Sequence, residues 1–128
     1  MSISLISCSS DDLPNCTEHE VTDCNEVADK ANLRIKNTSQ YDYCNVLVIL
    51  ENQTVNYGNI LSGNATCLVA FDLLYTYAYV QLFIDGNEFV IQPIDFVGEV
   101  PLPEGNYTYK INVPDSSGNM YSVELEFE

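Results

Sequence analysis

The feature that most constrains the fold is a two-residue alternation of apolar and polar side chains, which begins at Ala31 and recurs in short runs. In the first run, Leu33 and Ile35 alternate with Arg34 and Lys36. Because successive side chains of a β-strand point to opposite faces, this spacing predicts a strand with one face in a core and one in water. No segment shows a convincing long helical period, so the chain is predicted to be all-β.

Further runs of β-branched and aromatic residues are separated by turns rich in Asn, Asp, Gly and Pro. The turn Asp85-Gly86-Asn87 is a strong hairpin signal, because Gly and Asn tolerate positive φ. Pro101 and Pro103 argue against a central strand at that point. The other predicted strands are Tyr43 to Leu50, Asn56 to Leu61, Thr66 to Phe71, Tyr77 to Ile84, Glu88 to Gln92, Tyr107 to Val113 and Met120 to Phe127. Seven or eight strands with short connections predict an antiparallel β-sandwich.

One segment narrows the choice of sandwich. A proline and glycine turn leads into a strand at Leu102-Pro103-Glu104-Gly105-Asn106-Tyr107-Thr108-Tyr109-Lys110-Ile111. This run resembles the equivalent turn of immunoglobulin-like and transthyretin-like modules. Gly105 allows the turn, and the hydroxyl of Tyr107 or Tyr109 can bond to backbone at a sheet corner. We therefore expect an immunoglobulin-like or transthyretin-like sandwich over residues 31–128.

Length and charge set further bounds. The chain has 128 residues with 46% hydrophobic content, which suits one domain with its own core. No run approaches the roughly 18 apolar residues of a membrane-spanning helix. With four basic residues against nineteen acidic ones, the net charge of −15 argues against nucleic-acid binding.

Acidic residues are concentrated before the first strand. Residues 8–29 contain no Lys or Arg. They contain Asp11, Asp12, Glu18, Glu20, Asp23, Glu26 and Asp29. This composition predicts a flexible acidic tether over residues 8–30. The alternative is a short helix from Glu18 to Lys30 that packs on the domain through its apolar side chains.

The start of the chain contains a short modification pattern. Leu5-Ile6-Ser7-Cys8, followed by Ser9-Ser10-Asp11-Asp12, resembles the cleavage site and acidic export tag of Bacteroidota surface lipoproteins. The resemblance implies that residues 1–7 are the remnant of a signal, that Cys8 carries lipid, and that Ser9, Ser10, Asp11 and Asp12 direct export to the outer membrane surface. Only seven residues precede Cys8, so we expect the true start to lie upstream. The alternative is a free cysteine behind a short apolar tail.

Three later segments also resemble small Bacteroidota surface lipoproteins, a group to which no activity is assigned. They are Tyr57-Gly58-Asn59 with Ser62-Gly63, Tyr77-Ala78-Tyr79-Val80, and Gln92-Pro93-Ile94-Asp95-Phe96-Val97-Gly98-Glu99. This resemblance implies a surface location and an all-β fold, and it brings no catalytic residues.

Five cysteines leave an odd thiol unless one of them is modified. With lipid on Cys8, the other four could form two disulfides in an oxidising compartment, in any of three pairings. We expect Cys16 with Cys24, which closes a short polar loop, and Cys44 with Cys67, which lie in two apolar strands. The alternatives are four reduced thiols, or a zinc site of unusual spacing at Cys16, His19 and Cys24.

Candidate catalytic residues are few. His19 is the only histidine and lies in the tether, so the sandwich has no imidazole for a nucleophilic triad. Asp95 and Glu99 are the most suggestive carboxylate pair for glycoside hydrolysis, although two carboxylates four residues apart more often belong to a solvated loop. Hard oxygens at Asp85, Asn87 and Glu88 could hold Ca²⁺, but they fit a hairpin tip better. We expect no enzyme activity, no cofactor and no metal.

Tyrosine is abundant, with nine residues against five Phe and no Trp. Tyr75, Tyr77 and Tyr79 share parity and would lie about 6.5–7 Å apart along one strand face. If exposed, that face would stack against sugars or peptides; the alternative is ordinary core packing.

Together these patterns predict a non-enzymatic, lipid-anchored cell-surface lipoprotein that serves as a binding or display module. It would contact the membrane only through lipid and meet an extracellular protein or glycan partner. The alternatives are a glycan-binding accessory protein of a polysaccharide-uptake system and an enzyme that works through Asp95 and Glu99.

Overall fold

The computed structural model describes residues 24–50, 53–76, 78–92, 100–115 and 121–127. These residues form eight strands and no helix: β1 (Ala31–Asn37), β2 (Tyr43–Leu50), β3 (Gln53–Ile60), β4 (Val69–Phe71), β5 (Tyr79–Ile84), β6 (Asn87–Ile91), β7 (Gly105–Asn112) and β8 (Ser122–Phe127). The all-β prediction is confirmed. Within these ranges, no helix of the length and hydropathy needed to cross a bilayer occurs.

The strands form two four-stranded sheets. The first sheet has the order β4-β1-β7-β8, and the second has the order β3-β2-β5-β6. Neighbours are antiparallel except β1 and β7, which run parallel from Ala31 opposite Gly105 to Asn37 opposite Ile111. In a constant-type immunoglobulin sheet the first strand neighbours the second. Here β1 lies between β4 and β7, so this sheet does not have the constant-type immunoglobulin order.

The core lies between the sheets and is crossed by tyrosine hydroxyl groups. Tyr43 on β2 donates to the carbonyl of Ile111 on β7 at 2.8 Å, and Tyr57 on β3 donates to the carbonyl of Leu33 on β1 at 2.6 Å. A buried phenol needs a hydrogen-bond partner, and here the partner lies on the opposite sheet. These tyrosines therefore fill the core and also connect its two layers.

The predicted corner before β7 is confirmed. The Tyr107 hydroxyl donates to the carbonyl of Pro103, four residues upstream, at 2.8 Å. Gly105 has a φ of 146° and packs beneath Phe127, whose Cε1 would lie 2.7 Å from a Cβ at position 105. A side chain at 105 would therefore strain the backbone and displace the ring.

The predicted hairpin at Asp85 is also confirmed. Ile84 pairs with Asn87, which leaves Asp85 and Gly86 as a two-residue loop with φ values of 50° and 82°. Two positive φ values are the signature of a type I′ turn, whose twist matches that of the strands it joins. Glu88 on β6 accepts a hydrogen bond from Gln81 on β5 across the hairpin.

Residues 24–30 belong to the sandwich, so the predicted tether is wrong over that stretch. Asn25 pairs with the free edge of β4, since its N–H donates to Leu68 at 3.2 Å and its carbonyl accepts from Ala70 at 2.7 Å. The side chain of Asn32 accepts from the N–H of Val27 at 2.8 Å and donates to its carbonyl at 2.9 Å. None of residues 24–30 is helical, so the helix alternative is also wrong for them.

The disulfide pairing differs from the predicted one. Cys24 is bonded to Cys67, with their Cα atoms 5.7 Å apart, and Cys44 is also disulfide-bonded. The expected Cys16–Cys24 and Cys44–Cys67 pairs are therefore wrong. Short sequence separation favoured the first pair, but the pairing of Asn25 with Val69 brings Cys24 next to Cys67 instead.

Candidate functional site

The outer surface of the first sheet is polar and is the candidate functional site. Because Leu33 and Ile35 point into the core, the residues between them point outward, and the same holds along β7 and β8. We call this surface the polar face. Its members are Asn32, Arg34, Lys36, Asn106, Thr108, Lys110, Asn112, Ser122, Glu124 and Glu126.

The parallel register gathers most of the chain's basic residues on the polar face. Arg34 lies opposite Thr108, and Lys36 lies opposite Lys110. Three of the four Lys and Arg residues of the whole chain therefore share one surface, in a protein of net charge −15. Alternation alone indicated that Arg34 and Lys36 point outward, but nothing local in the sequence indicated that Lys110 would stand beside them.

Two carboxylates border this basic group. The ammonium of Lys110 lies 3.7 Å from Glu124 Oε1 and 3.5 Å from Glu126 Oε2. The Lys110 side chain is 27% exposed, whereas Lys36 is exposed to solvent. Solvent-facing ion pairs of this kind stabilise a fold by at most about 1 kcal/mol. These ammonium groups are therefore available to donate to carboxylate or hydroxyl oxygens of a ligand.

One end of the polar face is closed and the other is open. At the closed end, the Asn32 amide donates to Asn106 Oδ1 at 3.1 Å, and the Asn106 amide donates to Glu26 Oε2 at 3.1 Å. Residues 24–30 thus lie over this end, and Asn32 is only 1% exposed. Lys36 and Lys110 lie toward the open end of the same strands.

The outer surface of the second sheet is more apolar than that of the first, although Gln81 and Glu88 also lie on it. The side chains that point away from the core there include Leu47 and Ile49 on β2, Tyr79 and Phe83 on β5, and Val90 on β6. We call this surface the apolar face. Leu47, Ile49, Tyr79 and Phe83 are half-buried, and Val90 is 36% exposed.

The predicted tyrosine platform is wrong for Tyr75. That residue precedes β5, which begins at Tyr79, so the two are not on one strand. Tyr75 is 8% exposed, and its carbonyl accepts the Tyr109 hydroxyl at 2.7 Å. Tyr79 lies on the apolar face, and Tyr77 lies outside the described residues.

The buried tyrosines have a structural role. Burial raises the pKa of Tyr57 well above its usual value and also raises the pKa of Tyr109 and Tyr43. These phenols therefore stay protonated and continue to donate to backbone carbonyls at any physiological pH.

Several predicted site residues lie outside the described residues. They are Cys8, Ser9, Ser10, Asp11, Asp12, Cys16, His19, Asp95 and Glu99. Across the described part of the chain, no cluster of three or more His, Cys, Asp or Glu side chains is arranged to hold a metal.

A groove of about 560 Å³ runs beside the Cys24–Cys67 disulfide, where the β3 and β4 edges of the two sheets meet. Gln53 crosses this edge, because its amide donates to Ala70 at 2.8 Å and its Oε1 accepts from Asp72 at 3.1 Å. The residues that line the groove are all uncharged.

No protein-family model matches this chain, and no curated protein is significantly similar to it in sequence.

Proposed function

We propose that this protein is a non-enzymatic, lipid-anchored cell-surface lipoprotein that presents its polar face to an external partner. The observation that carries the proposal is the disulfide between Cys24 and Cys67. Disulfides form and persist in oxidising compartments and are rare in the cytosol. The disulfide therefore supports export, and the lipoprotein-like pattern at Cys8 supplies the means of attachment.

The position of that disulfide supports an orientation in which the polar face is accessible to the partner. It attaches the N-terminal segment to the edge formed by β3 and β4. The open end of the polar face, at Lys36 and Lys110, belongs to the central strands β1 and β7 of the first sheet. A partner that approaches these strands need not contact the edge at which the anchoring segment joins.

Lipid attachment is tested by mass spectrometry of the mature protein from membranes of its native cell. We expect an N-terminal Cys8 that carries the mass of a diacylglyceryl group. Cys8→Ala should move the protein to the soluble fraction, whereas Thr17→Ala, in the same segment, should leave it with the membrane. An unmodified terminus upstream of Cys8, or a Cys8→Ala protein that stays membrane-bound, would refute the anchor.

The polar face favours glycan binding as a second candidate. Lysine ammonium and arginine guanidinium groups are well suited to bind carboxylate or sulfate groups, so the glycan would be acidic. A titration calorimetry series with acidic and neutral polysaccharides tests this idea. We expect binding of the acidic polymer that is lost in Lys36→Ala/Lys110→Ala.

The fourth basic residue provides a matched control for this experiment. Lys30 forms an exposed ion pair with Asp72 at 2.6 Å and lies outside the polar face as defined above. Lys30→Ala should therefore bind like the wild type. Equal binding by all three proteins, or equal binding of neutral polymers, would exclude the polar face as an acidic-glycan site.

A further inference from the structure

The edges of the two sheets differ in how well they are protected. Within the described residues, the edge strands are β4 and β8 in the first sheet and β3 and β6 in the second. An edge strand offers its unpaired backbone N–H and C=O groups to another chain unless something blocks them. A comparison of these edges therefore shows where a further strand could pair.

Two of the edges are blocked where the sheets meet. The free side of β4 is occupied by Asn25, whose N–H and carbonyl both bond to that side. On β3, Gly58 has a φ of 78° and lies at a shift in register, so the strand carries a bulge. The Gln53 side chain also crosses from β3 to Ala70. Bulges and covering groups of this kind prevent regular pairing with another strand.

The third edge, β6, has five residues and no repeated charge on its outward side. The outward positions hold Glu88 and Val90. Glu88 already accepts a hydrogen bond from Gln81 on the neighbouring strand. This edge therefore carries little that would select one kind of partner.

The fourth edge, β8, is regular and open. It pairs with β7 in continuous register, from Ser122 opposite Asn112 to Phe127 opposite Tyr107. It contains neither Pro nor Lys, which often block an edge, and none of its residues is buried. Across the described part of the chain, no strand pairs with its other side. Its backbone is therefore available to one more strand.

The side chains of β8 form two rows of different chemistry. Val123, Leu125 and Phe127 stand opposite core residues of β7 and point to the inner side. Phe127 is nevertheless 66% exposed. Glu124 and Glu126 point to the outer side and belong to the polar face. A strand beside β8 would thus meet apolar surface on one side and carboxylates on the other.

The carboxylate row retains a negative charge. One ammonium group, that of Lys110, lies 3.7 Å from Glu124 Oε1 and 3.5 Å from Glu126 Oε2. The two glutamate side chains are 75% and 54% exposed. Opposite charges on facing positions of neighbouring strands stabilise their pairing, and like charges destabilise it. Lys or Arg is therefore favoured at the positions that face these glutamates.

The same row disfavours a second copy of this chain. Antiparallel pairing of two β8 strands, centred on residue 124, 125 or 126, would place at least one Glu directly opposite another Glu. Each copy also carries a net charge of −15. Charged side chains on an edge are one way in which proteins avoid edge-to-edge association. The charge pattern therefore favours a different, basic chain.

We propose that β8 binds an extended segment of an external protein, in which Lys or Arg alternates with apolar residues, as an additional strand of the first sheet. Main-chain hydrogen bonds hold the segment, and the alternating side chains give specificity. Its basic residues face Glu124 and Glu126, and its apolar residues continue the inner row. The proposal rests on the proposed function only in that the segment belongs to the external partner, and it requires neither lipid on Cys8 nor an acidic glycan.

Hydrogen exchange of the full chain tests the pairing, with a short synthetic peptide of alternating Val and Lys as the probe. We expect the peptide to slow exchange of backbone amides in β8 and to leave β3 unchanged. A peptide of the same composition, with all its Lys residues at one end, controls for simple attraction to an acidic protein. Slowed exchange with both peptides, with neither, or at β3 instead of β8 would overturn the proposal.

The charge pairing is tested with Glu124→Gln/Glu126→Gln. We expect the alternating peptide to bind about tenfold more weakly to this variant, measured by fluorescence titration of the labelled peptide. Asp72→Asn/Asp85→Asn is the matched control, because it removes the same charge from exposed residues outside β8. Its affinity should stay within about twofold of the wild type, since salt screens distant charges. Equal losses in the two variants would show that net charge alone attracts the peptide and would overturn the site.

The failure of this proposal can be distinguished from the failure of the lipid anchor. Unchanged β8 exchange in a protein whose Cys8 carries lipid would refute strand addition and leave the anchor. Slowed β8 exchange in a protein with an unmodified Cys8 would retain strand addition and refute the anchor. A dimer that forms without peptide and slows β8 exchange would overturn the proposal, because a second copy would then occupy the edge.

Discussion

The two outer faces of the sandwich come from different sequence patterns. On β1, apolar and polar residues alternate, and the outward positions hold Arg34 and Lys36. On β2, the outward positions hold Leu47 and Ile49, so the strand is apolar on both sides. Alternation therefore indicates a face built for water, whereas apolar residues at both inward and outward positions indicate a strand that is partly buried on its outer side as well.

The largest expected effect comes from opening the disulfide at the edge where the two sheets meet. Cys24→Ser/Cys67→Ser removes a cross-link that spans 43 residues. For a loop of this length, the chain-entropy model predicts a loss of about 4 kcal/mol in the free energy of unfolding. Urea denaturation of the double variant and the wild type measures this loss. A difference below about 1 kcal/mol would mean that the N-terminal segment is held by other contacts.

Substitution by Asn should destabilise the protein more on the apolar face than on the polar face. Ile49→Asn replaces a half-buried apolar side chain with an amide, so we expect a loss of about 2 kcal/mol in the free energy of unfolding. Lys36→Asn, on the polar face, should change stability by less than about 0.5 kcal/mol. Thermal or urea unfolding compares the two variants. Similar small losses in the two variants would mean that the partial burial of Ile49 does not stabilise the fold.

The closed and open ends of the polar face can be compared with two asparagines. Asn32→Ala removes the side chain that holds Val27 and Asn106 in place, and we expect a loss of about 2 kcal/mol. Asn112→Ala, at the other end of β7, should cost less than about 0.5 kcal/mol. Hydrogen exchange should show lost protection at residues 25–30 only in the first variant. Unchanged protection there would mean that β4 alone holds the segment.

Among the buried side chains, the smallest loss of stability at neutral pH is expected in the core between the two sheets. Tyr57→Phe should cost about 1 kcal/mol through loss of its hydrogen bond to Leu33. Because burial raises the pKa of Tyr57 and Tyr109, the unfolded chain releases protons from pH about 10 upward while the folded chain keeps them. The stability that depends on these two protonated phenols is therefore fully present below about pH 10. It is lost as the pH rises further.

Urea midpoints measured between pH 9 and pH 12 test this dependence. The decline with pH should be shallower in Tyr57→Phe than in the wild type, since one buried phenol is missing. Parallel curves for the two proteins would show that Tyr57 does not contribute to alkaline unfolding.

Local patterns identified the strands well. The strand Tyr43–Leu50 has its predicted bounds, and the hairpin at Asp85-Gly86 was indicated by residues that accept positive φ. The corner at Tyr107 was also foreseen, because its glycine and its phenol lie within four residues of Pro103. These features depend on neighbours in the sequence.

Features that depend on distant contacts were not predicted. The parallel pairing of β1 with β7 places Lys36 beside Lys110, and nothing in either strand alone indicates that partner. The same is true of Cys24, whose disulfide partner is fixed by the pairing of Asn25 with Val69. The polar face could therefore be identified only in part, through the outward residues of β1.

The arrangement of strands also has a consequence for the order of folding. In the second sheet, β2 with β3 and β5 with β6 are hairpins between sequence neighbours. At the centre of the first sheet, β1 meets a strand that begins 74 residues later, at Ala31 and Gly105. Closing so long a loop is slow, so we expect this layer to assemble last. Pulse-labelled hydrogen exchange should then show protection of β5 before β7. During synthesis, the first sheet could not form until β7 had been made.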